Sequence, residues 1–500
     1  MEIRIERGDI LSQSADLLVI ASYEGEDYQT AFMKRLDDIL LGKVTKMAKM
    51  NEFEGKPGQF MLIPAPDGMA VEYVLIVGLG VMGSTTLESA REAAGLAVQT
   101  AKKLNLKSVV MEFFGEDHVD FDARLFAQSL AEALYLANYS FSDFKKNNAK
   151  KHLTTVVIIA EDGHDARKAE VGVERARLID QGVTLARDLV NTPAMQMTPT
   201  RLADLAVRIA KESDGYIKCQ ILNKKECEKL GMGAFLGVAM GSDEEPKFIH
   251  LIYTGAKTKK TLAIVGKGIT FDSGGLSLKP ADSMMTMKCD MAGAASVLGT
   301  FTALSTLRPD LEVHGIIAAT ENMPSHKAMR PGDILMASNG KSIEVLNTDA
   351  EGRLTLADAL VYAGKLNVDY IVDLATLTGA CVVGLGEEIA GLMSNHAIFA
   401  NKILSAAATC GEKMWEMPLE PRYKSLNESD IADIRNIPTN RYGGSLTAGL
   451  FLQEFVDSKQ PWAHIDIAGP AFAERPMASY IEKGGTGYGV RTLVRLIENL

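Results

Sequence analysis

Short apolar runs that alternate with helix-length segments are the feature that most restricts the fold of this 500-residue chain. In its first third, the apolar runs have the length of buried strands, and the segments between them carry apolar residues at helical spacing. A first strand is predicted at 1–7, where charged and apolar residues alternate. Further strands are predicted at 16–22, 71–78, 108–114 and 156–160, and helices at 86–104 and 121–138. This alternation predicts an α/β domain with a mostly parallel sheet.

The rest of the chain continues the alternation after one charged, helix-forming stretch that stops before Pro193. Beyond it, strands are predicted at 215–222, 247–253, 261–265, 312–319 and 370–375, and helices at 202–211, 224–230, 293–305 and 354–366, the last of them amphipathic. The predicted fold class is therefore α/β with two domains. They are a smaller N-terminal domain over 1–161 and, after a connector helix over 162–190, a larger domain over 191–500 with a central mixed sheet flanked by helices.

The charge balance and the cysteines exclude some classes of protein. With 53 basic and 64 acidic residues, the formal net charge is −11, which argues against a general nucleic-acid-coating role. The five cysteines are scattered, so free thiols in a reducing compartment are expected. No apolar run reaches about 18 residues, and the N-terminus lacks the apolar region of a signal peptide. We therefore expect a soluble, cytoplasmic protein without a membrane partner.

A glycine-rich loop, GLGVMG at 78–83, follows a predicted strand and precedes a predicted helix, as a dinucleotide-binding fingerprint would. Its expected acidic partner is poorly placed, because Glu116 and Asp117 lie well beyond the usual spacing of about 20 residues. The Ser-Thr-Thr sequence at 84–86 offers a helix cap. Turn and cap chemistry therefore explains the glycines better than a cofactor does, although this helix N-terminus could still hold an anion.

Neither the histidines nor the cysteines form a catalytic motif. The eight histidines include no HExxH or HxH pattern, and we interpret His314, His326 and His464 as structural side chains. Cys289 lies beside a candidate metal ligand, but no histidine accompanies it in a nucleophile motif. We interpret it as a buried thiol.

Lysines and carboxylates gather after the predicted strand 261–265. Lys267, Asp272 and Lys279 follow its carboxyl end, where open α/β sheets place ligands. The glycines among them allow turns that would bring Lys267 and Asp272 to one point, although a glycine-rich turn with a solvated Lys–Asp pair is an equally good interpretation. Asp290 comes just before a predicted helix of small residues, where it is either a helix cap or a second ligand.

The segment NTDAEGRL, at 347–354, is the most informative. In an extended chain, residues two apart point to the same side, so Asp349, Glu351 and Arg353 are expected to converge. Two carboxylates beside a guanidinium suit metal ions with a neighbouring anion. A polar loop with an internal Arg–carboxylate pair is the alternative.

Together the three segments supply four carboxylates, Asp272, Asp290, Asp349 and Glu351, and no histidine. Four like charges in one pocket would repel one another strongly without cations. Carboxylates that bridge two ions about 3.5–4 Å apart relieve this repulsion, and that is the arrangement of two-metal hydrolases.

Motifs in the second half of the chain resemble the signature set of the leucine aminopeptidase (cytosol aminopeptidase) family. They are GKGITFDSGG (266–275), Lys279-Pro280, CDMAGAA (289–295), AATENMPS (318–325), RPGD (330–333) and NTDAEGRL. The resemblance covers the chain from about residue 190 to the end, whereas the N-terminal half is similar in architecture only. It implies a dinuclear zinc or manganese exopeptidase that removes N-terminal residues from peptides, with leucine and other apolar residues preferred.

Position by position, the resemblance implies that Lys267, Asp272, Asp290 and Glu351 hold a tightly bound ion. Asp272, Asp349 and Glu351 would hold an exchangeable ion, so Asp272 and Glu351 would bridge the two. Lys267 would ligate as a neutral amine, which requires that the nearby dication depress its pKa.

The same resemblance implies the catalytic roles. A water activated by both metals would attack the scissile carbonyl, and Lys279 would polarise that carbonyl. Arg353 would hold a bicarbonate that acts as the general base. Met287, Thr376 and Gly379 would line the substrate pocket, and the free α-amine of the substrate would bind a metal.

The family also implies a homohexamer and, in some bacterial members, a second role as a DNA-binding regulator, which the acidic balance makes less expected here. A nucleotide- or DNA-binding regulatory protein that uses the N-terminal domain is the alternative function, with the loop 78–83 as its support. A different two-metal hydrolase, such as a phosphoesterase, is disfavoured by the lysine ligand and by NTDAEGRL.

Overall fold

The computed structural model describes residues 1–25, 30–115, 122–146, 152–160, 163–258 and 260–500. These form two compact units: Met1–Asp180 with Pro476–Glu482, and Gln181–Arg475 with Lys483–Leu500. Each unit has its own sheet. Within the described ranges, every helix is too short or too polar to cross a bilayer.

The sheet of the first unit is mostly parallel. Its strands are β1 (Glu2–Glu6), β2 (Leu17–Ser22), β3 (Phe60–Pro64), β4 (Tyr73–Gly78), β5 (Ser108–Glu112) and β6 (Thr155–Ile159), and its helices are α1 (Ala31–Ile39), α2 (Lys43–Met50), α3 (Leu87–Leu104) and α4 (Ala123–Asn138). The strand order is β1-β6-β5-β2-β4-β3, in which β3 runs antiparallel to β4 and the other neighbours are parallel. The predicted α/β fold with a mostly parallel sheet is confirmed, whereas β3, α1 and α2 were not predicted.

The glycine-rich loop 78–83 is a turn that leads into a capped helix. Gly80 has a φ of +87°, which favours glycine. Thr86 caps α3, because its Oγ1 accepts from Ser89 N at 3.1 Å while Ser89 Oγ accepts from Thr86 N at 2.9 Å. The predicted turn and cap chemistry is therefore present. Glu116 and Asp117 lie outside the described residues.

The helix predicted over 162–190 is observed as α5 (Gly163–Asn191), and the elements after it belong to the second unit. Its helices are α6 (Pro199–Lys211), α7 (Lys224–Lys229), α8 (Gly233–Ala239), α9 (Ala281–Met284), α10 (Ala292–Leu307), α11 (Gly352–Gly364), α12 (Gly379–Leu385), α13 (Ala397–Cys410), α14 (Gly444–Gln453) and α15 (Val490–Glu498). Its strands are β7 (Ile217–Leu222), β8 (Lys247–Thr254), β9 (Thr261–Asp272), β10 (Glu312–Asn322), β11 (Ile334–Met336), β12 (Ser342–Glu344), β13 (Tyr370–Ala375), β14 (Ala390–Ser394), β15 (Met414–Glu416), β16 (Ile434–Arg435), β17 (Trp462–Asp466), β18 (Phe472–Ala473) and β19 (Gly484–Gly485).

The main sheet of the second unit is mixed, with the order β15-β14-β17-β13-β9-β10-β8-β7. Its centre is parallel, because β13 and β10 flank β9 in the same direction. A small sheet, β11-β12-β16, and a two-stranded sheet, β18-β19, accompany it. The predicted central mixed sheet flanked by helices is confirmed.

Two predicted elements of this unit are present, but the end predicted for one and the character predicted for the other are wrong. The strand predicted at 261–265 continues as β9 to Asp272, because β10 pairs with it along that length. The helix predicted at 354–366 as amphipathic is α11, which begins at Gly352 and is buried on nearly all sides. A helix buried on nearly all sides belongs to the interior of a large protein rather than to its surface.

Candidate active site

The adjacent parallel strands β9 and β13 lead at their carboxyl ends to a cavity of about 270 Å³. Ligand sites of open α/β sheets lie at such ends. All ten residues selected from the sequence line this cavity, and they are Lys267, Asp272, Lys279, Met287, Asp290, Asp349, Glu351, Arg353, Thr376 and Gly379. The structure therefore brings together residues that lie up to 112 positions apart in the chain, from 267 to 379.

A bulge in β9, rather than a turn, places Lys267 and Asp272 on the same side. Lys267 pairs with Ala318 and Asp272 with Asn322, so five steps on β9 correspond to four on β10. Residues five apart in a regular strand face opposite sides, whereas the extra residue of a bulge restores a common side. The expectation of a tight glycine turn at this point was wrong.

Asp290 reaches the cavity from a short 3-10 helix, Met287–Cys289, that precedes α10. The N-cap residue of α10 is Met291, so Asp290 is not the cap of this helix. Its Oδ1 instead accepts a hydrogen bond from Thr376 Oγ1 at 2.7 Å. The structure thus favours the ligand alternative over the cap alternative for Asp290.

The segment 347–354 converges on the cavity without being extended. Residues 348–349 form a turn, Glu351 has helical φ and ψ (−81°, −33°), and Arg353 lies in the first turn of α11. The alternation of an extended chain was therefore the wrong reason for a convergence that the structure does contain. A turn followed at once by a helix presents Asp349, Glu351 and Arg353 to one space.

Two lysines pair with the four carboxylates. Lys267 Nζ lies 2.7 Å from Asp290 Oδ1 and 3.0 Å from Glu351 Oε1, and it also donates to the carbonyl of Thr376 at 2.9 Å. Lys279 Nζ lies 2.9 Å from an oxygen of Asp272. It also lies 2.7 Å from Asp349 Oδ1. Each lysine thus compensates two like charges in a buried space.

The remaining carboxylate oxygens suit divalent cations. One oxygen each of Asp272, Asp290 and Glu351 lies within 4.8 Å of the others, and all three residues are buried. Asp290 Oδ2 and Glu351 Oε2 are buried without a hydrogen-bond partner. Unpaired buried acceptors are costly, and hard divalent ions prefer such oxygen ligands. The donor set therefore fits metal ions.

The protonation of the site follows from its burial. Burial raises the pKa of Asp290 well above its usual value and also raises the pKa of Glu351 and of Asp349. Burial alone would lower the pKa of Lys267, but the surrounding carboxylates outweigh it and raise that pKa. Lys279 shows the same balance, with Asp272 as its strongest partner.

Arg353 is a buried guanidinium with unused donors. Its Nη1 donates to the carbonyl of Asn436 at 2.7 Å, while its Nε has no hydrogen-bond partner. Its Cζ lies 5.9 Å from the ring centre of Phe451. Burial lowers the pKa of Arg353 to about 10. Such a group, facing the cavity, offers a place for an anion.

Several residues that support the site were not selected from the sequence. Asn322 donates from Nδ2 to Asp272 Oδ1 at 2.8 Å and to the carbonyl of Thr348 at 3.0 Å. Asp466 accepts from Thr378 Oγ1 at 2.7 Å and from Leu377 N at 3.1 Å, which fixes the loop after β13. The motif AATENMPS contains Asn322 and could have revealed it, whereas Asp466 belongs to none of the quoted motifs.

The histidines and Cys289 lie as the sequence suggested, apart from His326. His464 Nδ1 lies 2.5 Å from Asp373 Oδ1 inside the sheet, and His314 Nδ1 lies 2.9 Å from His250 Nε2. His326 is exposed. Cys289 is buried, and burial raises the pKa of its thiol to about 12, so it is a poor nucleophile.

Buried carboxylates and lysines at the parallel centre of a mixed α/β sheet are the arrangement expected of a metal-dependent hydrolase. The sequence profile of the cytosol aminopeptidase family's catalytic domain matches residues 184–494, and that of its N-terminal domain matches residues 19–148. The chain belongs to the cytosol aminopeptidase family. Membership makes it an aminopeptidase, so the predicted function is confirmed.

Individual relatives agree with this family. A probable cytosol aminopeptidase of Thermosynechococcus vestitus is 48% identical over 492 residues, which are 97% of each chain. A mutant of tomato leucine aminopeptidase has a TM-score of 0.90 at 37% identity, covering 100% of this chain and 97% of that one. The bottromycin maturation enzyme BotP in complex with Mn has a TM-score of 0.85 at 34% identity, covering 97% and 99%. Nothing in these matches favours the nucleotide- or DNA-binding alternative.

Proposed function

We propose that the cavity binds two divalent ions, zinc or manganese, and releases N-terminal residues from peptides, with leucine and other apolar residues preferred. The observation that carries this proposal is the buried group of carboxylate oxygens from Asp272, Asp290 and Glu351 within 4.8 Å of one another. The manganese in the structure of BotP supports a metal of this kind.

The ligands divide between the two ions. Lys267, Asp272, Asp290 and Glu351 would hold the tightly bound ion, and Asp272, Asp349 and Glu351 the exchangeable one. When bound, the ions would supply the Lewis acidity that activates a water and polarises the scissile carbonyl. The carboxylates around Lys267 raise its pKa and keep the amine protonated. Lys267 must therefore lose a proton before its nitrogen can bind a metal ion.

Lys279 would polarise the substrate carbonyl. An ammonium group has three N–H donors, and Asp272 and Asp349 take two of them. The third can point into the cavity that Lys279 lines. A donor held in this way by two carboxylates needs no reorganisation when negative charge develops on the carbonyl oxygen.

Arg353 would hold a bicarbonate that serves as the general base. The buried Nε without a partner supports this role, because an anion would satisfy it. Bicarbonate is a weak base, and Arg353 would hold it by hydrogen bonds near the ligand carboxylates. There it could accept the proton that the attacking water loses.

The substrate side chain would lie against Met287, Thr376 and Gly379. Val382 and Ala468 line the same cavity and extend its apolar wall. A pocket of this kind supports a preference for leucine and similar residues. The free α-amine of the substrate would enter the acidic end of the cavity, and this requirement explains cleavage from the N-terminus.

We also propose a division of the chain into an N-terminal domain over 1–161, a connector over 162–190 and a catalytic domain over 191–500. The catalytic-domain match over 184–494 supports the last of these. A homohexamer in the cytoplasm is proposed from the family.

Hydrolysis of an unblocked leucyl substrate tests the proposal. Activity should be lost on chelation and return with manganese or zinc, and the same substrate with an acetylated N-terminus should not be cleaved. Efficient cleavage of the acetylated substrate, or full activity in excess chelator, would overturn the proposal.

A further inference from the structure

Asn436 is a fully buried amide at the end of β16 that holds the ligand loop by both edges of its side chain. Its Oδ1 accepts from Leu346 N at 2.9 Å and from Asn347 N at 3.4 Å. Its Nδ2 donates to the carbonyl of Asn347 at 2.6 Å and to that of Ala350 at 3.4 Å. One side chain thus bonds to both ends of the turn that lies between Leu346 and Glu351.

The main chain of Asn436 extends this connection. Its carbonyl accepts from Arg353 Nη1 at 2.7 Å, and its N–H donates to the carbonyl of Glu344 on β12 at 2.9 Å. The small sheet β11-β12-β16, the ligand turn and the guanidinium therefore meet at one residue. Asn436 itself lies behind the cavity rather than in its wall.

Only an amide can make this set of bonds. A carboxamide offers two donors and an acceptor, whereas the carboxylate of an aspartate has the same shape and no donor. Because the site is shielded from water, a bond that is lost there is not replaced by solvent. An aspartate would remove this donor from the carbonyl of Ala350, and it would leave the carbonyl of Asn347 with only the bond from Ala350 N at 3.3 Å.

We infer that Asn436 is a positioning residue that fixes Asp349, Glu351 and Arg353 in one rigid arrangement. The inference rests on the proposed two-metal function and deepens it. The turn delivers the ligands of the exchangeable ion, and the carbonyl of Asn436 sets the direction of the guanidinium. Displacements of about 1 Å at reacting groups can cost about 100-fold in rate, so a loose turn would be felt in turnover.

The test compares Asn436→Asp and Asn436→Ala with Asn427→Ala. Asn427 is a matched control, because it is also a buried asparagine of the second unit, and its Nδ2 donates to the carbonyl of Thr447 at 2.9 Å, away from the ligand turn. Three quantities are measured: kcat and KM on an unblocked leucyl substrate, manganese affinity by equilibrium dialysis without turnover, and the bicarbonate concentration for half-maximal rate.

Both Asn436 variants should lower kcat by about 10- to 100-fold with little change in KM. They should also weaken binding of the second manganese ion and raise the bicarbonate requirement, while Asn427→Ala keeps wild-type values. Asn436→Ala keeps the main-chain bonds and introduces no buried charge, so it remains informative if Asn436→Asp does not fold. Values for Asn436→Ala within about two-fold of Asn427→Ala in all three quantities would overturn the inference. An inactive wild-type protein would instead count against the proposed function.

Discussion

Two buried histidines should make the second unit less stable in mild acid. His250 Nε2 lies 2.9 Å from His314 Nδ1, and His250 Nδ1 lies 3.0 Å from the hydroxyl of Tyr362. One of the two facing nitrogens must be unprotonated for this bond to form. Burial, and then repulsion from His314, lower the pKa of His250 from 6.5 to about 4.

The direction and size of the effect follow from this shift. The unfolded chain binds a proton at His250 near pH 6.5, whereas the folded chain binds it only near pH 4. The stability that the neutral ring contributes is therefore complete above pH 6.5 and is lost as the pH falls toward 4. At about 1.4 kcal/mol per pKa unit, the loss is at most about 3 kcal/mol.

Urea unfolding followed by tryptophan fluorescence can measure this loss, because Trp415 and Trp462 both lie in the second unit. His250→Gln removes the titrating group, so its stability should fall less than that of the wild type between about pH 7 and pH 4.5. His326→Gln, which changes an exposed histidine, is the control and should follow the wild type. Equal pH dependence in the wild type and His250→Gln would refute this account of the pair.

Four further predictions concern the cavity. Asp272→Ala or Glu351→Ala should abolish both activity and metal binding, since each would bridge the ions; turnover by either variant would contradict that role. Arg353→Ala should slow hydrolysis by about 10-fold or more yet leave metal content, measured by atomic emission, unchanged. Metal uptake should release a proton from Lys267, so calorimetric enthalpies should vary with the ionisation enthalpy of the buffer. Gly352→Ala should weaken metal binding in the same calorimeter, because an added Cβ would lie 2.5 Å from Lys267 Cε and displace the ligand, whereas unchanged affinity would show that the lysine can yield.

The fold class was predictable because a buried strand is visible in the sequence as a short apolar run. The run at 370–375 coincides with β13, since a central parallel strand is buried on both faces and is therefore mostly apolar, here with Asp373 as the exception. The run at 261–265 was cut short because its continuation contains glycine, lysine and threonine, which alone predict a loop. That continuation is a strand because β10 supplies its hydrogen bonds, and no local pattern records a partner about 50 residues away.

The residues of the site were easier to predict than their geometry. Chemical type, motif order and the family resemblance selected ten residues, and all ten are among the eighteen that line the cavity. The bulge in β9 and the helical conformation of Glu351 depend on pairing and packing that the sequence does not express locally. Asn436 was missed for a related reason, because a lone asparagine in a polar segment forms no recognisable motif, and its five partner residues lie far from it in the sequence.

Some of the motif glycines serve close packing rather than turns, and this changes what the motifs mean. A Cβ on Gly266 would lie 2.6 Å from the carbonyl oxygen of Gly293, and a Cβ on Gly293 would lie 2.1 Å from that of Leu374. The start of α10 therefore lies directly against β9 and β13 at backbone distance. Since Asp290 precedes α10 by two residues, this contact helps to set its carboxylate 2.7 Å from Lys267. The proposed metal site therefore needs the glycines of GKG and DMAG for backbone packing as well as Lys267 and Asp290 as ligands.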